Sequence, residues 1–158
     1  MDKVAEHAQS GGYREVVGVL IGRVVDQTIV IEDAVSGGIE STQTRAKLPP
    51  ETMAKIADDI VKQRIQGNIV GWYHSHPRHG IFMSDVDAET HSNLQQFSSY
   101  IAAMVIDPTT DQVGFFTLDG SGKSQSIPPE HVRVFEEGEE PVSSDVPSSK
   151  ETNPAGPT

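Results

Sequence analysis

The sequence predicts an α+β (α/β-like) domain in which one mixed β-sheet is flanked by two or three helices. Three observations predict it. Apolar runs of six to eight residues, rich in Val and Ile and too short for stable helices, recur at 16–21, 28–35, 68–75, 100–106 and 113–118. Two longer segments, 51–61 and 84–97, are interleaved with these runs and read as helices. Turn formers punctuate the junctions, among them Gly22, Asp107-Pro108 and Asp119-Gly120. Strands and helices that alternate in this way bury their apolar faces against one another, in an α+β or α/β single-layer arrangement.

In chain order, residues 3–8 read as the end of a helix stopped by Ser10-Gly11-Gly12. Val16, Val17, Val19, Leu20 and Ile21 form a continuous apolar run ended by Gly22, the pattern of a strand buried on both faces. Residues 28–35 (TIVIEDAV) make a second strand, and the polar, Gly-containing stretch 36–47 a long loop. Pro49-Pro50-Glu51 opens a helix, since proline is tolerated in the first turn, and Met53, Ile56, Ala57, Ile60 and Val61 give it one buried face. Residues 68–75 (NIVGWYHS) form the third strand and 84–97 the second full helix. Strands at 100–106 and 113–118 follow, with a last short one at 132–135.

Residues 136–158 carry six acids, one Lys and four prolines but few large apolar side chains. Such a segment buries too little surface to offset its ordering entropy, so the expected organisation is one domain over 1–135 and a disordered tail over 136–158. The formal net charge of -11 argues against a nucleic-acid partner, which requires a Lys/Arg surface to neutralise phosphates. No run approaches the ~18–20 apolar residues of a membrane span, and the N-terminal MDKVAEHAQSGG lacks a signal-peptide core. There are no cysteines, which excludes disulfides, thiolate metal sites and cysteine nucleophiles; a reducing cytoplasm is the expected location.

The chemistry concentrates in residues 74–87 (HSHPRHGIFMSDVD). His74 and His76 stand two apart at a strand end, and the strand period of two projects both imidazoles from one face. Asp87, at the start of the next helix, can supply a carboxylate oxygen as third ligand. Two His and one Asp leave a fourth tetrahedral position for water, the mark of a catalytic rather than a structural zinc site. Blander readings stay open on these residues alone. H-x-H pairs are also found on exposed loops, and Ser84-x-x-Asp87 reads as a helix N-cap with an acid at its third position. Capping and ligation are compatible. His79 reads as a solvated loop residue and His91 as a helix-face residue, while His7 and His131 have no constellation around them.

The string 74–87 resembles the JAMM motif of the MPN-plus family, H-[ST]-H-P-x6-S-x-x-D, at every defined position. Gly71-Trp72-Tyr73 and Glu15 in YREVVGVLIG are also similar to the family, especially its proteasome-lid deubiquitinase and archaeal members. The resemblance runs from about residue 3 to 118. It implies an MPN fold with a curved, cytidine-deaminase-like sheet and one catalytic Zn2+ held by His74, His76 and Asp87. It further implies that Glu15 is the general base that activates the water and that Ser84 stabilises the developing oxyanion; Pro77 matches the proline after the His pair. The implied activity is a zinc-dependent isopeptidase acting on ubiquitin or ubiquitin-like protein conjugates, with the proteasome or its regulators as a candidate assembly and no membrane or nucleic-acid partner.

Departures qualify that picture. The second insertion of linkage-specific members, with its structural zinc, has no counterpart, and nothing after Phe135 resembles the C-terminal helices of the proteasome-lid members. The strand usual before the opening helix is not within the sequence, and a small free-standing, prokaryote-like enzyme is the expectation. Loop 36–47 occupies the place of the family's first insertion, which pairs with the substrate tail, and reads equally as a mobile connection. Two alternatives remain: a processing protease that trims extensions from ubiquitin-like or sulfur-carrier proteins, and a non-catalytic MPN scaffold.

Overall fold

The computed structural model describes residues 2–39, 48, 50–78, 80–95 and 100–134. The chain runs through α1 (Asp2–Ser10), β1 (Val16–Val25), β2 (Thr28–Ile39), α2 (Pro50–Val61), β3 (Asn68–Ser75) and α3 (Asp85–Leu94). It then forms β4 (Ala102–Asp107), β5 (Gln112–Leu118), β6 (Ser124–Ser126), a 3-10 turn at Pro129–His131 and β7 (Val132–Val134). Among the described residues these strands make one seven-stranded sheet in the order β6-β5-β4-β3-β1-β2-β7. It is mixed: β3–β4 and β2–β7 pair in parallel and the other neighbours antiparallel. Ile29 of β2 lines the same cavity as Thr117 of β5 and Ser126 of β6, so the two ends of the sheet curl towards each other. The α+β sheet-and-helix class expected from the sequence is the one observed.

The apolar continuity of β1 has the cause its sequence suggested. Val16 and Leu20 pack with Val4 and Ala8 of α1 on one face, while Val17, Val19 and Ile21 pack with Met53 and Ile56 of α2 and Leu94 of α3 on the other. A strand covered on both sides has no solvent face on which polar alternation would appear.

Four expectations are corrected. Gly22 does not end the first strand; it lies inside β1 at a bulge, where the pairing jumps from Ile21↔Asp33 to Gly22↔Ile31. Residues 36–39 are strand rather than loop, because Ser36 and Gly38 continue the ladder opposite Gly18 and Val17 across a second bulge. The second full helix is Asp85–Leu94, shorter than 84–97, with Gln95 as its C-cap. β6, whose sequence SQS is exposed and carries no apolar signal, was not expected. Residues 40–47 of the insertion, His79, Phe135 and the segment 136–158 lie outside the described residues.

At Gly22 a Cβ would stand 1.8 Å from the Val30 carbonyl oxygen, a backbone atom that cannot swing aside. Gly22→Ala is therefore expected to lower stability by about 1–3 kcal/mol, the usual cost of overpacking, read as a lower urea midpoint.

Candidate metal centre

β3 and α3 build the site. β3 lies between β1 and β4, and the ladder continues past its end through the His76 amide, which donates to the Ile106 carbonyl at 2.8 Å. His74 and His76 consequently keep strand alternation, with ring centroids 4.7 Å apart. α3 begins with a complete capping box: the Asp87 amide donates to Ser84 Oγ at 3.1 Å and the Ser84 amide to Asp87 Oδ2 at 2.9 Å. The capping reading of Ser84-x-x-Asp87 is thus realised, and the cap aims the carboxylate at the histidines. Asp87 Oδ2 lies 2.9 Å from His74 Nε2 and 3.1 Å from His76 Nε2.

All three residues are buried, and one ligand atom from each lies within 4.8 Å of the others. The donor set fits a divalent ion on two counts. His74 Nδ1 and Nε2 make no hydrogen bond although both are buried, so the close Nε2–Oδ2 approach is a contact without hydrogen-bond alignment. The separations also sit just inside the edge of about 3.3 Å that a tetrahedral zinc with bonds of ~2.0–2.1 Å requires.

The electrostatics are those of two imidazoles sharing one anion. Burial pushes His74 down, outweighing the pull of Asp87. At His76 burial acts in the same sense, but Asp87, Glu15 and the Gly80 carbonyl raise the ring above its ordinary value. Burial would raise Asp87; the two imidazoles beside it and hydrogen bonds from His76 and the Ser84 amide hold it well below the usual carboxylate range.

Glu15 precedes β1, is buried, and lies close enough for its charge to act on His76. Its neighbour is tied to β3, since the Val16 amide donates to Ser75 Oγ at 2.9 Å. Ser84 is half-buried, and its hydroxyl accepts in the cap, so its own proton is left for another acceptor. His76 is oriented from behind by the Gly80 carbonyl, 3.3 Å from Nδ1. The turn carrying Gly80 is fastened by Asp107, which accepts from the amides of Arg78 and Thr109 and from the Thr109 hydroxyl. Burial alone would raise Asp107, but these bonds hold it low.

One histidine reading is sharpened and one changes. His91 is a helix-face residue as expected, on the inward face of α3: it is fully buried and accepts from the Trp72 indole N–H at 3.1 Å. His7 has a constellation after all, with Nδ1 2.7 Å from the Tyr73 hydroxyl and Nε2 3.2 Å from Ser36 Oγ. Ser75, Trp72 and His91 were not singled out as site residues from the sequence. The available signal was the polar stripe Asp87, His91 at i, i+4, which aligns two hydrophilic residues on the face that also buries Leu94.

Burial lowers His91 to about 4. Because the folded ring resists protonation, its contribution to stability is complete above about 6.5, the unfolded value, and is lost as pH falls towards about 4. In metal-free protein, His91→Gln is expected to flatten the fall in stability between those limits, an effect on the order of 3 kcal/mol. Urea midpoints measured across pH 4–7 check it; parallel curves for the two proteins would contradict it.

Fold and donor set together define a class: a single-sheet α+β domain built around a buried two-imidazole, one-carboxylate site. The family described as JAB1/Mov34/MPN/PAD-1 ubiquitin protease matches residues 1–99, the span that holds all five candidate site residues. The chain belongs to this JAMM/MPN metalloprotease family, and its sheet is an MPN sheet.

Among curated relatives, COP9 signalosome complex subunit 5 of Dictyostelium discoideum is 34% identical over 152 residues, covering 84% of this chain and 46% of the relative. Subunit 5 of Emericella nidulans is 35% identical over 152 residues, covering 94% and 44%. Subunit 5a of Arabidopsis thaliana is 36% identical over 110 residues, covering 68% and 31%. The chain thus spans less than half the length of these relatives. Their eukaryotic sources conflict with the archaeal affinity expected from the sequence. The solution structure of protein DSY2949 from Desulfitobacterium hafniense shares the fold at TM-score 0.67 and 19% identity, covering 87% of this chain and 89% of that one. Among the described residues no helix is long and apolar enough to cross a membrane.

Proposed function

We propose that the chain is a zinc-dependent isopeptidase that removes ubiquitin or a ubiquitin-like modifier from conjugates. The observation that carries the reading is the convergence of buried His74, His76 and Asp87 on one point, with Glu15 acting electrostatically on the same site. His74, His76 and Asp87 would hold the ion. When bound, zinc supplies Lewis acidity that brings the pKa of a water from ~15.7 towards ~7. Glu15 would take a proton from the attacking water as its oxygen bonds to the amide carbon, and would deliver the proton to the departing lysine amine as the C–N bond breaks. Ser84 donates its hydroxyl hydrogen to the carbonyl oxygen as negative charge gathers there. No side chain becomes acylated.

The family's ubiquitin-protease description supports the substrate class. Relatives named as subunits of the COP9 signalosome support work within an assembly of that kind rather than with the proteasome.

The test is incubation of zinc-loaded protein with a lysine-linked ubiquitin-like conjugate and, in parallel, a linear fusion. Cleavage of the lysine-linked conjugate is expected, abolished by a chelator and restored by added zinc. Cleavage indifferent to the chelator, or none by zinc-loaded protein, contradicts the reading; preference for the linear fusion replaces isopeptidase action with processing.

A further inference from the structure

We infer that His91 is a positioning residue of the metal centre, acting through Trp72 to fix the imidazole plane of His74. This rests on the metal reading proposed above and goes beyond it. The starting point is an asymmetry between the two histidines. A metal-binding imidazole ordinarily gives its second ring nitrogen to a carboxylate, carbonyl or water, which sets the ring's orientation. His76 has such a partner in the Gly80 carbonyl. His74 has none among the described residues: neither of its buried ring nitrogens makes a hydrogen bond.

What His74 has instead is a face. Trp72, two residues earlier on β3, stacks on it with centroids 4.5 Å apart and planes 16° from parallel. A stacked ring can orient its neighbour only if it is itself held, and the indole is held at its polar edge, where Nε1–H donates to His91 Nδ1 at 3.1 Å. All three rings are completely buried. Because Nδ1 accepts, the His91 proton sits on Nε2, which is buried without a partner. A leucine at this position would leave the buried indole N–H without its acceptor, so what the histidine supplies beyond packing is the hydrogen bond that fixes the indole edge.

The register makes the arrangement a two-rung ladder. Trp72 and His74 are two apart on one strand, and Asp87 and His91 four apart on one helix, so each pair shares a face. One rung joins Asp87 to His74 and the other joins His91 to Trp72. The second rung fixes α3 against β3 one helical turn beyond the carboxylate, holding the ligand of the helix and the ligand of the strand in one geometry.

Trp72 is the only tryptophan, so the indole N–H gives a single NMR resonance that reports the second rung without any metal. The test uses the full chain and three variants, His91→Leu, His91→Gln and Trp72→Phe. Zinc affinity is read by competition with a chromophoric chelator and site geometry by the visible spectrum of the cobalt-substituted protein. Loss of the rung in His91→Leu and in Trp72→Phe is expected to weaken zinc binding about 10–100-fold and to change the cobalt spectrum. His91→Gln, whose amide oxygen can still accept from the indole, is expected to restore both to near the parent and to keep the indole resonance downfield.

Unchanged zinc affinity in His91→Leu and Trp72→Phe, whatever their melting temperatures, would overturn the inference, as would equal weakening by Gln and Leu. Should His91→Leu fail to fold, Trp72→Phe decides, since it keeps an aromatic face and removes only the indole edge. A parent protein that binds no zinc while its indole resonance shows the intact hydrogen bond would overturn the metal reading itself, and the positioning role with it.

Discussion

Glu15→Gln is expected to slow cleavage by about 10²–10⁴-fold while leaving zinc content and melting temperature at the parent values. Glutamine fills the volume of the buried glutamate and can still hydrogen-bond, but it cannot take a proton from water. The backbone beside Glu15 has an anchor that the substitution leaves in place: the Val16 amide bonds to Ser75, which lies between the two histidines in sequence. In the metal-free protein a small fall in the His76 pKa should accompany the change, because the Glu15 charge is among the influences that raise it. Hydrolysis at the parent rate would remove Glu15 from the mechanism, and loss of zinc would make it a ligand or a structural anchor instead.

Asp87→Ala is expected to remove stoichiometric zinc binding, a larger loss than the roughly 10–100-fold that deleting an outer partner causes. The carboxylate serves two purposes at once, since Oδ2 accepts from the Ser84 amide in the cap and faces both imidazole Nε2 atoms. Ser84→Ala separates them. It deletes the N-cap acceptor but leaves the carboxylate, and should cost about 1 kcal/mol of stability while zinc is retained. Equal zinc binding by Asp87→Ala and the parent would leave the aspartate with its capping role alone.

Much of this was legible in the sequence, and what was missed has physical causes. β3 and the start of α2 were placed because their patterns are strong: an apolar run of strand length, and a proline followed by helically spaced apolar residues. His74 and His76 were legible because strand alternation is rigid enough to put i and i+2 on one side, and Asp87 because a cap fixes where a helix begins. Gly22 misled because glycine marks bulges as readily as ends, and the difference lies in the Val30 carbonyl pressed against it, a long-range contact. Residues 36–39 look like loop in the sequence because SGGI has little strand propensity; pairing with β1 overrides it. His91 escaped because a lone histidine on a helix carries no sign of the indole that meets it nineteen residues away in sequence. The role of Glu15 rested on family resemblance alone, since a single acid before a strand specifies nothing by itself.

The most direct measurement is X-ray absorption at the zinc K edge on protein loaded with one equivalent of zinc, compared with His74→Ala and Asp87→Ala. A four-coordinate nitrogen and oxygen shell at about 2.0–2.1 Å, with the outer scattering of two imidazoles that falls to one in His74→Ala, is the expected result. A spectrum of loosely held, water-coordinated zinc that neither substitution alters would mean that the ion binds elsewhere and that the two histidines and the aspartate do not hold it.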